Sequence, residues 1–263
     1  MAEHSFRFTN AIVREPSPSV QFGLRSKNFG DPDFELLLSH HQAYVDALVE
    51  AGLSVEILPA LEKFPDSLFV EDAALCLPQG AVILSPGAAS RREESKFIEP
   101  ALAKFFSKVV VLQGPGNLDG GDVLVTESEI IVGLSGRTDA EGVRSLSKAV
   151  EPWGYTVRQV STPSGVLHLK SDCSLLDSDT ILATRRLAST GVFAKYRLIE
   201  VPESEELAAN LIRVNDSLLL PAGFPKTMRL LEELGYRVRE IPNSECQKID
   251  GGLSCLSLRF AME

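Results

Sequence analysis

The amino-acid sequence predicts an α/β fold in which five units of strand, strand, helix and strand close into a ring. Helical patterns recur five times along the 263 residues, and each leads, the fourth less clearly, into a strand. A pair of strand-like runs separated by a short polar turn then follows. Because the last pair is divided between the two ends of the chain, pairing of the N- and C-terminal strands closes the ring.

The helical patterns begin near Asp33, Ser90, Arg137, Ser189 and Phe224. In the first, apolar residues from Phe34 to Val49 recur at the three- and four-residue spacing of an amphipathic helix. Gly52 follows at the position where a glycine commonly ends a helix. The pattern therefore predicts a helix over most of residues 33–51.

The strands after the helices are LSVEILP, SKVVVLQG, YTVRQVS, LIEVP and YRVREIP. Four strand pairs are continuous in the chain, for example GDVLVTES with EIIVGLS, and the fifth joins LSCLSLRF to HSFRFTNAIVR. Short turns within the pairs favour antiparallel hairpins over the single crossovers of a doubly wound sheet. No linker or low-complexity segment divides the chain, so we expect residues 1–263 to form a single domain.

The overall charge and the first residues of the chain bear on what the protein binds and where it is located. With a formal net charge of −10, the chain lacks the basic footprint that nucleic acid or an anionic membrane requires. The first residues, MAEHSFRFTN, lack the basic start and apolar run of a signal peptide, and no segment approaches ~20 uninterrupted apolar residues. We expect a cytoplasmic protein that binds a small molecule; a homodimer is compatible with the sequence.

The four cysteines are scattered as Cys76, Cys173, Cys246 and Cys255, without a C-x-x-C pair. This spacing argues against a zinc site and against a secreted disulfide framework. We expect four free thiols.

Polar residues interrupt the first strand of several hairpins: Glu71 and Asp72, Asp119 and Asp122, His168, and Cys255. Burying such groups in separate strands costs several kcal/mol for each ion unless it is paired. A ring that brings these strands to one axis would let them pair. The tripeptide Asp-Gly-Gly occurs at residues 119–121 and again at 250–252, and we interpret it as the same loop in two units.

Arginines begin two of the predicted helices, Arg91 in the second and Arg137 in the third. The positive end of the helix dipole disfavours cations there, so either the acids that follow offset them or both arginines hold an anion such as a carboxylate. The second interpretation predicts a site with acids at one end and arginines at the other.

At these residues the sequence resembles the dimethylarginine dimethylaminohydrolase family of the guanidine-modifying, or pentein, superfamily. The similar stretches are FGLRS, FPDSLFVEDAAL, PGAASRREE, NLDGGDVLV, VGLSGRTDAEG, GVLHLKS and KIDGGLSCLSLRF. The resemblance implies a five-bladed α/β propeller of pseudo-symmetric ββαβ units. It also implies hydrolysis of an N-omega-methylated arginine to citrulline and a methylamine, with no metal or organic cofactor.

The resemblance further implies roles for individual residues. Cys255 is the nucleophile, His168 the general acid and base, and Asp119 the acid that orients the histidine. The residues implied to bind substrate are Glu71 and Asp72 at the guanidinium, Arg91 and Arg137 at the α-carboxylate, and Asp66 with the carbonyls of Leu24 and Ile249 at the α-amino group.

Two alternatives stay open. Arginine or agmatine deiminases of the same superfamily use this chemistry on unmethylated guanidines, although agmatine has no carboxylate for Arg91 and Arg137. In a different class, a ribosome anti-association factor has a related ring fold without catalysis. The joint presence of Cys255, His168 and the acids argues for an enzyme.

Overall fold

The computed structural model describes residues 4–262, which contain fifteen strands in five three-stranded sheets. The strands are β1 (Asn10–Arg14), β2 (Ser54–Leu58), β3 (Ala74–Leu77), β4 (Gly80–Ile83), β5 (Val109–Val111), β6 (Val123–Val125), β7 (Ile130–Leu134), β8 (Val157–Ser161), β9 (Cys173–Leu175), β10 (Thr180–Ala183), β11 (Arg197–Glu200), β12 (Ile212–Val214), β13 (Ser217–Pro221), β14 (Arg237–Ile241) and β15 (Leu258–Phe260). The helices are α1 (Phe34–Glu50), α2 (Glu99–Leu102), α3 (Ala140–Val150), α4 (Arg185–Ala188), α5 (Pro225–Glu233) and α6 (Ser244–Gln247).

All five sheets share one topology, and we call each sheet with its helix a blade. An inner strand pairs antiparallel with a middle strand, which pairs parallel with an outer strand. The strand orders are β3-β4-β5, β6-β7-β8, β9-β10-β11, β12-β13-β14 and β15-β1-β2, for blades 1 to 5. Parallel neighbours require a crossover, which the helical segment between the middle and outer strands supplies. The predicted five-bladed propeller is confirmed.

The two ends of the chain close the ring within blade 5. Strand β1 pairs antiparallel with β15, with Asn10 opposite Phe260 and Ile12 opposite Leu258. The same β1 pairs parallel with β2 after the crossover through α1. The predicted pairing of N- and C-terminal strands is therefore confirmed. Within the described residues, no helix is long and apolar enough to cross a membrane.

Three of the five predicted helices form where the sequence placed them. Helix α1 begins after Asp33, whose carboxylate accepts a hydrogen bond from the backbone N–H of Leu36 at 3.0 Å. Helix α3 begins after Asp139, which caps the N–H groups of Glu141 and Gly142 in the same way. Helix α5 begins with Pro225 in its first turn, where the missing N–H has no helical partner to lose.

The other two helical predictions need correction. The pattern near Ser90 forms a 3₁₀ helix, Arg92–Phe97, and then the single α-helical turn of α2, which contains Pro100 as its second residue. The fourth helix was predicted to begin near Ser189, but α4 ends at Ala188 and turns follow it. Gly191 lies in the left-handed region with φ +75°, so a right-handed helix cannot continue through it.

The polar residues expected on the inner strands lie instead in a short 3₁₀ turn before the strand, or, for Asp119 and His168, directly before that turn. The five turns are Val70–Ala73, Gly120–Asp122, Leu169–Ser171, Glu206–Ala209 and Ser254–Leu256. In a strand, successive side chains point to opposite faces, whereas a turn can bury consecutive residues at one place. Glu71 and Asp72 are 5% and 2% exposed in this way.

Apolar clusters fill the space between neighbouring blades. Helix α1 of blade 5 contributes Leu37, Tyr44 and Leu48 to a cluster that also contains Leu219 of the middle strand of blade 4. The hydroxyl of Tyr44 hydrogen-bonds the Oγ of Ser257, just before β15, at 2.6 Å. The helices thus join adjacent blades as well as covering their own sheets.

The two Asp-Gly-Gly sequences are not equivalent loops, which corrects the sequence interpretation. Asp119 is fully buried and directly precedes the 3₁₀ turn of blade 2. Asp250 lies earlier in blade 5, separated from its 3₁₀ turn by Gly-Gly-Leu, and has a φ of +59°. A β-carbon on Gly120 would lie 1.9 Å from the carbonyl oxygen of Glu71. The glycine therefore allows blades 1 and 2 to approach at the axis.

Gly120→Ala should destabilise the fold by about 2 kcal/mol or more, because the new methyl group would overlap the backbone of blade 1. Gly136→Ala is the matched control, since a β-carbon there meets no atom within 4 Å and the backbone is outside the left-handed region. It should be neutral or stabilising by up to about 1 kcal/mol. Denaturant unfolding measures both, and equal free energies of unfolding would contradict the close contact.

Candidate active site

The 3₁₀ turns bring the predicted site residues together on the ring axis. Blade 1 supplies Glu71 and Asp72, blade 2 supplies Asp119, blade 3 supplies His168, and blade 5 supplies Cys255. All five side chains are buried, and the turns of neighbouring blades contact one another. The sequence prediction that ring closure gathers these groups is confirmed by their placement.

Asp119 holds the imidazole of His168. The Nε2 atom of His168 lies 2.9 Å from Oδ2 of Asp119, while Oδ1 of Asp119 accepts a hydrogen bond from the N–H of Gly87 at 2.7 Å. Asp122 accepts the N–H of Leu169 at 2.8 Å and thereby fixes the turn that follows the histidine. Both carboxylates of blade 2 therefore orient blade 3.

The carboxylates around His168 favour its protonated form. Burial by itself would lower the pKa of His168, but the carboxylates of Asp72, Asp119 and Asp122 raise it to about 9. A charged imidazole held on Asp119 can donate a proton to a departing amine. It can act as a base after that transfer.

Cys255 is held as a neutral thiol in this arrangement. Burial, followed by the negative charges of Glu71 and Asp72, raises the pKa of Cys255 to about 12, and Lys170 offsets only part of this effect. Among the described residues, its sulfur makes no hydrogen bond to His168. A cation placed between the sulfur and these carboxylates would lower the pKa of the thiol.

Glu71 is held by two residues that the sequence reasoning did not assign. Lys170 donates through Nζ to Oε1 of Glu71 at 2.5 Å, and Ser254 donates through Oγ to Oε2 at 2.8 Å. Arg259 lies 3.6 Å from Oε1. In the sequence, Lys170 lies two residues after His168 and Ser254 directly precedes Cys255. This proximity could have identified both as candidate site residues.

Asp72 is paired with Arg91, which alters the predicted polarity of the site. Burial alone would raise the pKa of Asp72, but Arg91, His168 and the N–H of Gly121 outweigh it and lower the pKa to about 2. Arg91 also pairs with Glu94 through Nε and Nη2 at 2.9 to 3.2 Å. Acids and arginines therefore adjoin one another and do not occupy opposite ends, because a buried charge requires a partner nearby.

The remaining predicted binding residues are Asp66, Leu24, Ile249 and Arg137, of which Asp66 contacts Arg91 directly. Asp66 accepts the N–H of Leu24 at 2.9 Å, and its own carbonyl accepts a hydrogen bond from Arg91 at 3.2 Å. Ile249 is buried in the same apolar cluster as Cys255. Arg137 is one-fifth exposed, and its Nη1 lies 3.7 Å from Oδ2 of Asp119.

Two openings adjoin the site. A cavity of about 120 Å³ lies on the axis among the inner strands, lined in part by Glu71, Lys170 and Arg259. A larger cleft, about 930 Å³, is lined in part by Phe29 and Gly252. Beside this cleft, Ser26 hydrogen-bonds the carboxylate of Asp250 through both its N–H and its hydroxyl.

The donor atoms of Asp72, Asp119 and His168 lie within 4.8 Å of one another, close enough to share a metal ion. Asp72 is already paired with Arg91, and Nε2 of His168 is already hydrogen-bonded to Asp119. These residues are therefore better suited to proton transfer and cation binding than to metal coordination.

Comparison with known proteins identifies the family. A family model described as arginine deiminase matches residues 40–217. The chain is 41% identical to N(G),N(G)-dimethylarginine dimethylaminohydrolase of Pseudomonas aeruginosa, over 96% of this chain and 100% of that protein. The chain belongs to the dimethylarginine dimethylaminohydrolase family. A protein of the same name from Streptomyces coelicolor is 39% identical, with 95% of this chain and 96% of that protein aligned.

Solved structures of this family share the fold. A mutant of the Pseudomonas aeruginosa protein complexed with citrulline matches with a TM-score of 0.94 at 41% identity, covering 97% of this chain and 100% of that one. The N-terminal domain of a cyanobacterial arginine dihydrolase has a TM-score of 0.85 at 18% identity, over 96% of this chain and 98% of that one. This second likeness concerns the fold alone. Membership of the dimethylarginine dimethylaminohydrolase family confirms the predicted family and makes the chain a hydrolase.

The raised pKa of His168 predicts a pH-dependent contribution to stability. Because the pKa is about 9 in the fold and about 6.5 in the unfolded chain, the stabilisation is fully present below pH 6.5 and is lost as the pH rises to 9. The free energy of unfolding of the wild type, relative to His168→Gln, should fall across this range.

His40→Gln is the control, because burial lowers the pKa of His40 and reverses the sign of the effect. Denaturant unfolding between pH 5.5 and 9.5 measures both differences. A His168 difference that does not change with pH would contradict a charged imidazole.

Proposed function

We propose that the chain hydrolyses N-omega-methylated arginine to citrulline and a methylamine through a covalent intermediate on Cys255. The observation that carries the proposal is the placement of the Cys255 thiol beside Glu71 and Asp72, with a protonated His168 held by Asp119 on the same axis. Membership of the dimethylarginine dimethylaminohydrolase family supports the same reaction. The mechanism uses side chains alone and requires no cofactor.

Substrate binding follows from the charges of the site. Glu71 and Asp72 hold the planar guanidinium and place its carbon against the sulfur. Asp66 and the carbonyls of Leu24 and Ile249 bind the α-amino group.

Arg91 and Arg137 bind the α-carboxylate. Glu94 holds the Nε and Nη2 atoms of Arg91, whereas Nη1 contacts Asp72. We therefore expect Nη1 of Arg91 to release Asp72 and to bind the substrate carboxylate instead.

The first half of the reaction forms the thiouronium. The bound guanidinium offsets the charges of Glu71 and Asp72, so the pKa of Cys255 falls and the thiol releases its proton to solvent, because His168 is already protonated. The thiolate attacks the guanidinium carbon and forms a tetrahedral adduct. His168 donates its proton to the methylated nitrogen, the carbon–nitrogen bond breaks, and the methylamine leaves.

The second half hydrolyses this intermediate. Neutral His168 removes a proton from water, which attacks the same carbon. The carbon–sulfur bond then breaks, the hydroxyl proton of the adduct passes to the departing sulfur, and citrulline leaves with Cys255 restored as the resting thiol. Asp119 stabilises the imidazolium that exists at the start and at the end of the cycle.

Further assignments complete the proposal. Residues 1–263 act as one catalytic domain, and the net charge of −10 argues against nucleic acid as a partner. A cytoplasmic location is supported by the four free thiols, because disulfides are rare in the reducing cytosol. A homodimer stays a prediction.

Arginine or agmatine deimination is the competing reaction. The matching family model carries the description arginine deiminase, and a methyl group changes binding by only about 1–3 kcal/mol. A non-catalytic ribosome anti-association factor is a weaker alternative, because such a protein has no need of the paired Asp119 and His168.

Cys255→Ser should lower kcat on the order of 10³-fold or more, because a serine hydroxyl lacks the nucleophilicity of a thiolate. The measurement incubates purified protein separately with asymmetric dimethylarginine, monomethylarginine, arginine and agmatine, and quantifies both ureido product and released amine. Citrulline with dimethylamine or methylamine supports the proposal, whereas ammonia from arginine or agmatine identifies a deiminase.

Cys76→Ser is the control for the loss of a thiol. Cys76 lies on β3, outside the 3₁₀ turns that carry the proposed site, so this variant should keep its activity. Substantial turnover by Cys255→Ser would refute covalent catalysis through this sulfur. The absence of product from all four compounds with the wild type would reject the proposed reaction.

Arg137→Ala should raise KM for the amino-acid substrate about 10- to 100-fold, the effect of losing a charged hydrogen bond. For the decarboxylated analogue of the same substrate, the change in KM should be much smaller. Arg144→Ala is the control, because Arg144 lies on the exposed side of α3 and pairs only weakly with Glu141. An equal change in KM for both compounds would contradict carboxylate binding by Arg137.

A further inference from the structure

Blade 4 contributes a buried amide where the other blades contribute acids, an imidazole and a thiol. Asn210 directly follows the 3₁₀ turn of blade 4 and is 8% exposed. Its Oδ1 accepts the backbone N–H of Ser254 at 3.0 Å. Its Nδ2 donates to the carbonyl of Lys170 at 2.7 Å and to Oγ of Ser254 at 3.2 Å. Both amide hydrogens and the amide oxygen are therefore in use.

These partners connect the base to the nucleophile. Lys170 lies in the 3₁₀ turn that His168 begins, and Ser254 directly precedes Cys255. Because Asn210 bonds the backbone of both turns, one side chain from blade 4 links blade 3 to blade 5. A shift of this side chain would change the separation of His168 and Cys255.

The same amide orients Glu71 indirectly, through hydrogen bonds to Ser254 and Lys170. Oγ of Ser254 accepts a hydrogen from Asn210 and donates its own hydrogen to Oε2 of Glu71. Lys170, whose carbonyl Asn210 holds, donates through Nζ to Oε1 of the same carboxylate. The two oxygens of Glu71 are thus set by two residues that Asn210 positions.

The close packing of the Asn210 amide against Gly252 also depends on a specific residue type. A β-carbon on Gly252 would lie 2.3 Å from both Cγ and Oδ1 of the asparagine, so only a glycine allows the amide to approach the backbone of blade 5. This constraint is independent of the hydrogen bonds and belongs to a different residue. It explains the second glycine of the tripeptide at 250–252.

We propose that Asn210 is a positioning residue for the reaction, which sets the placement of His168 and Cys255 and the orientation of Glu71 without touching the substrate. The inference rests on the proposed function for its catalytic readout. An aspartate is not equivalent at this position, because it has no N–H for the Lys170 carbonyl and would add a charge next to Ser254. A leucine fills a similar volume and removes all three hydrogen bonds.

The test compares Asn210→Asp and Asn210→Leu with Asn215→Asp. Asn215 is a matched control on the same blade, since its amide makes three hydrogen bonds to the backbone of Phe8 and Ala51, away from the site. Both Asn210 variants should lower kcat about 10- to 100-fold with KM within about threefold. The control should lose stability and keep its kcat.

A second readout does not depend on the substrate. The rate of Cys255 alkylation by iodoacetamide at a fixed pH of 8 follows the thiolate fraction and should fall about tenfold in both Asn210 variants. The cause is the carboxylate introduced at position 210 in one variant, and in both the loss of the contacts through which Lys170 and Ser254 hold the Glu71 charge. The rate should not change in Asn215→Asp, and an amide that only stabilises the fold leaves the rate in the folded protein unchanged.

The outcomes separate the two proposals. If the wild type hydrolyses dimethylarginine but both Asn210 variants keep its kcat, the positioning role is overturned and the proposed function stands. If the wild type turns over none of the guanidines, the proposed function fails and the alkylation rate of Cys255 decides the role of Asn210. Equal alkylation rates in the Asn210 variants and the wild type then overturn it.

Discussion

The pairing of buried charges on the ring axis is the constraint on which the rest of the structure depends. Each buried ion costs several kcal/mol unless a partner compensates it. The partners come from different blades, as in Asp119 with His168 and Lys170 with Glu71. Because these pairs form only when the ring is closed, stability of the axis and assembly of the site have the same physical origin.

The same charges set the resting protonation of the two reacting groups. Acids around the axis raise the pKa of His168 to about 9 and, with burial, that of Cys255 to about 12. The protonated form of His168 and the neutral thiol form of Cys255 are therefore both favoured before substrate binds. In the proposed reaction, a cationic guanidinium brings a positive charge to Glu71 and Asp72, which would couple substrate binding to activation of the thiol.

The pseudo-symmetric blades share one local structure, a 3₁₀ turn near the axis, but each blade carries different functional groups there. Each blade places a 3₁₀ turn before its inner strand, and the turns carry acids, an imidazole, an amide or a thiol. Sequence repetition does not follow this structural repetition closely. The Asp-Gly-Gly at 119–121 provides the acid for His168, whereas that at 250–252 contacts Ser26 and makes room for Asn210.

The sequence by itself determined the five units and the ring closure, because helical and strand periodicity depend on near neighbours in the chain, and its short motifs singled out Cys255, His168 and Asp119 as candidates. It misplaced the helix near Ser189 and the polar residues on strands. The left-handed conformation of Gly191 and the short 3₁₀ turns interrupt regular structure over only a few residues, so they leave no periodic pattern in the sequence. Only the tertiary structure decided the partners of Arg91, Lys170 and Asn210. The Ser254–Glu71 hydrogen bond, for example, joins residues 183 positions apart, and such contacts depend on how the blades meet.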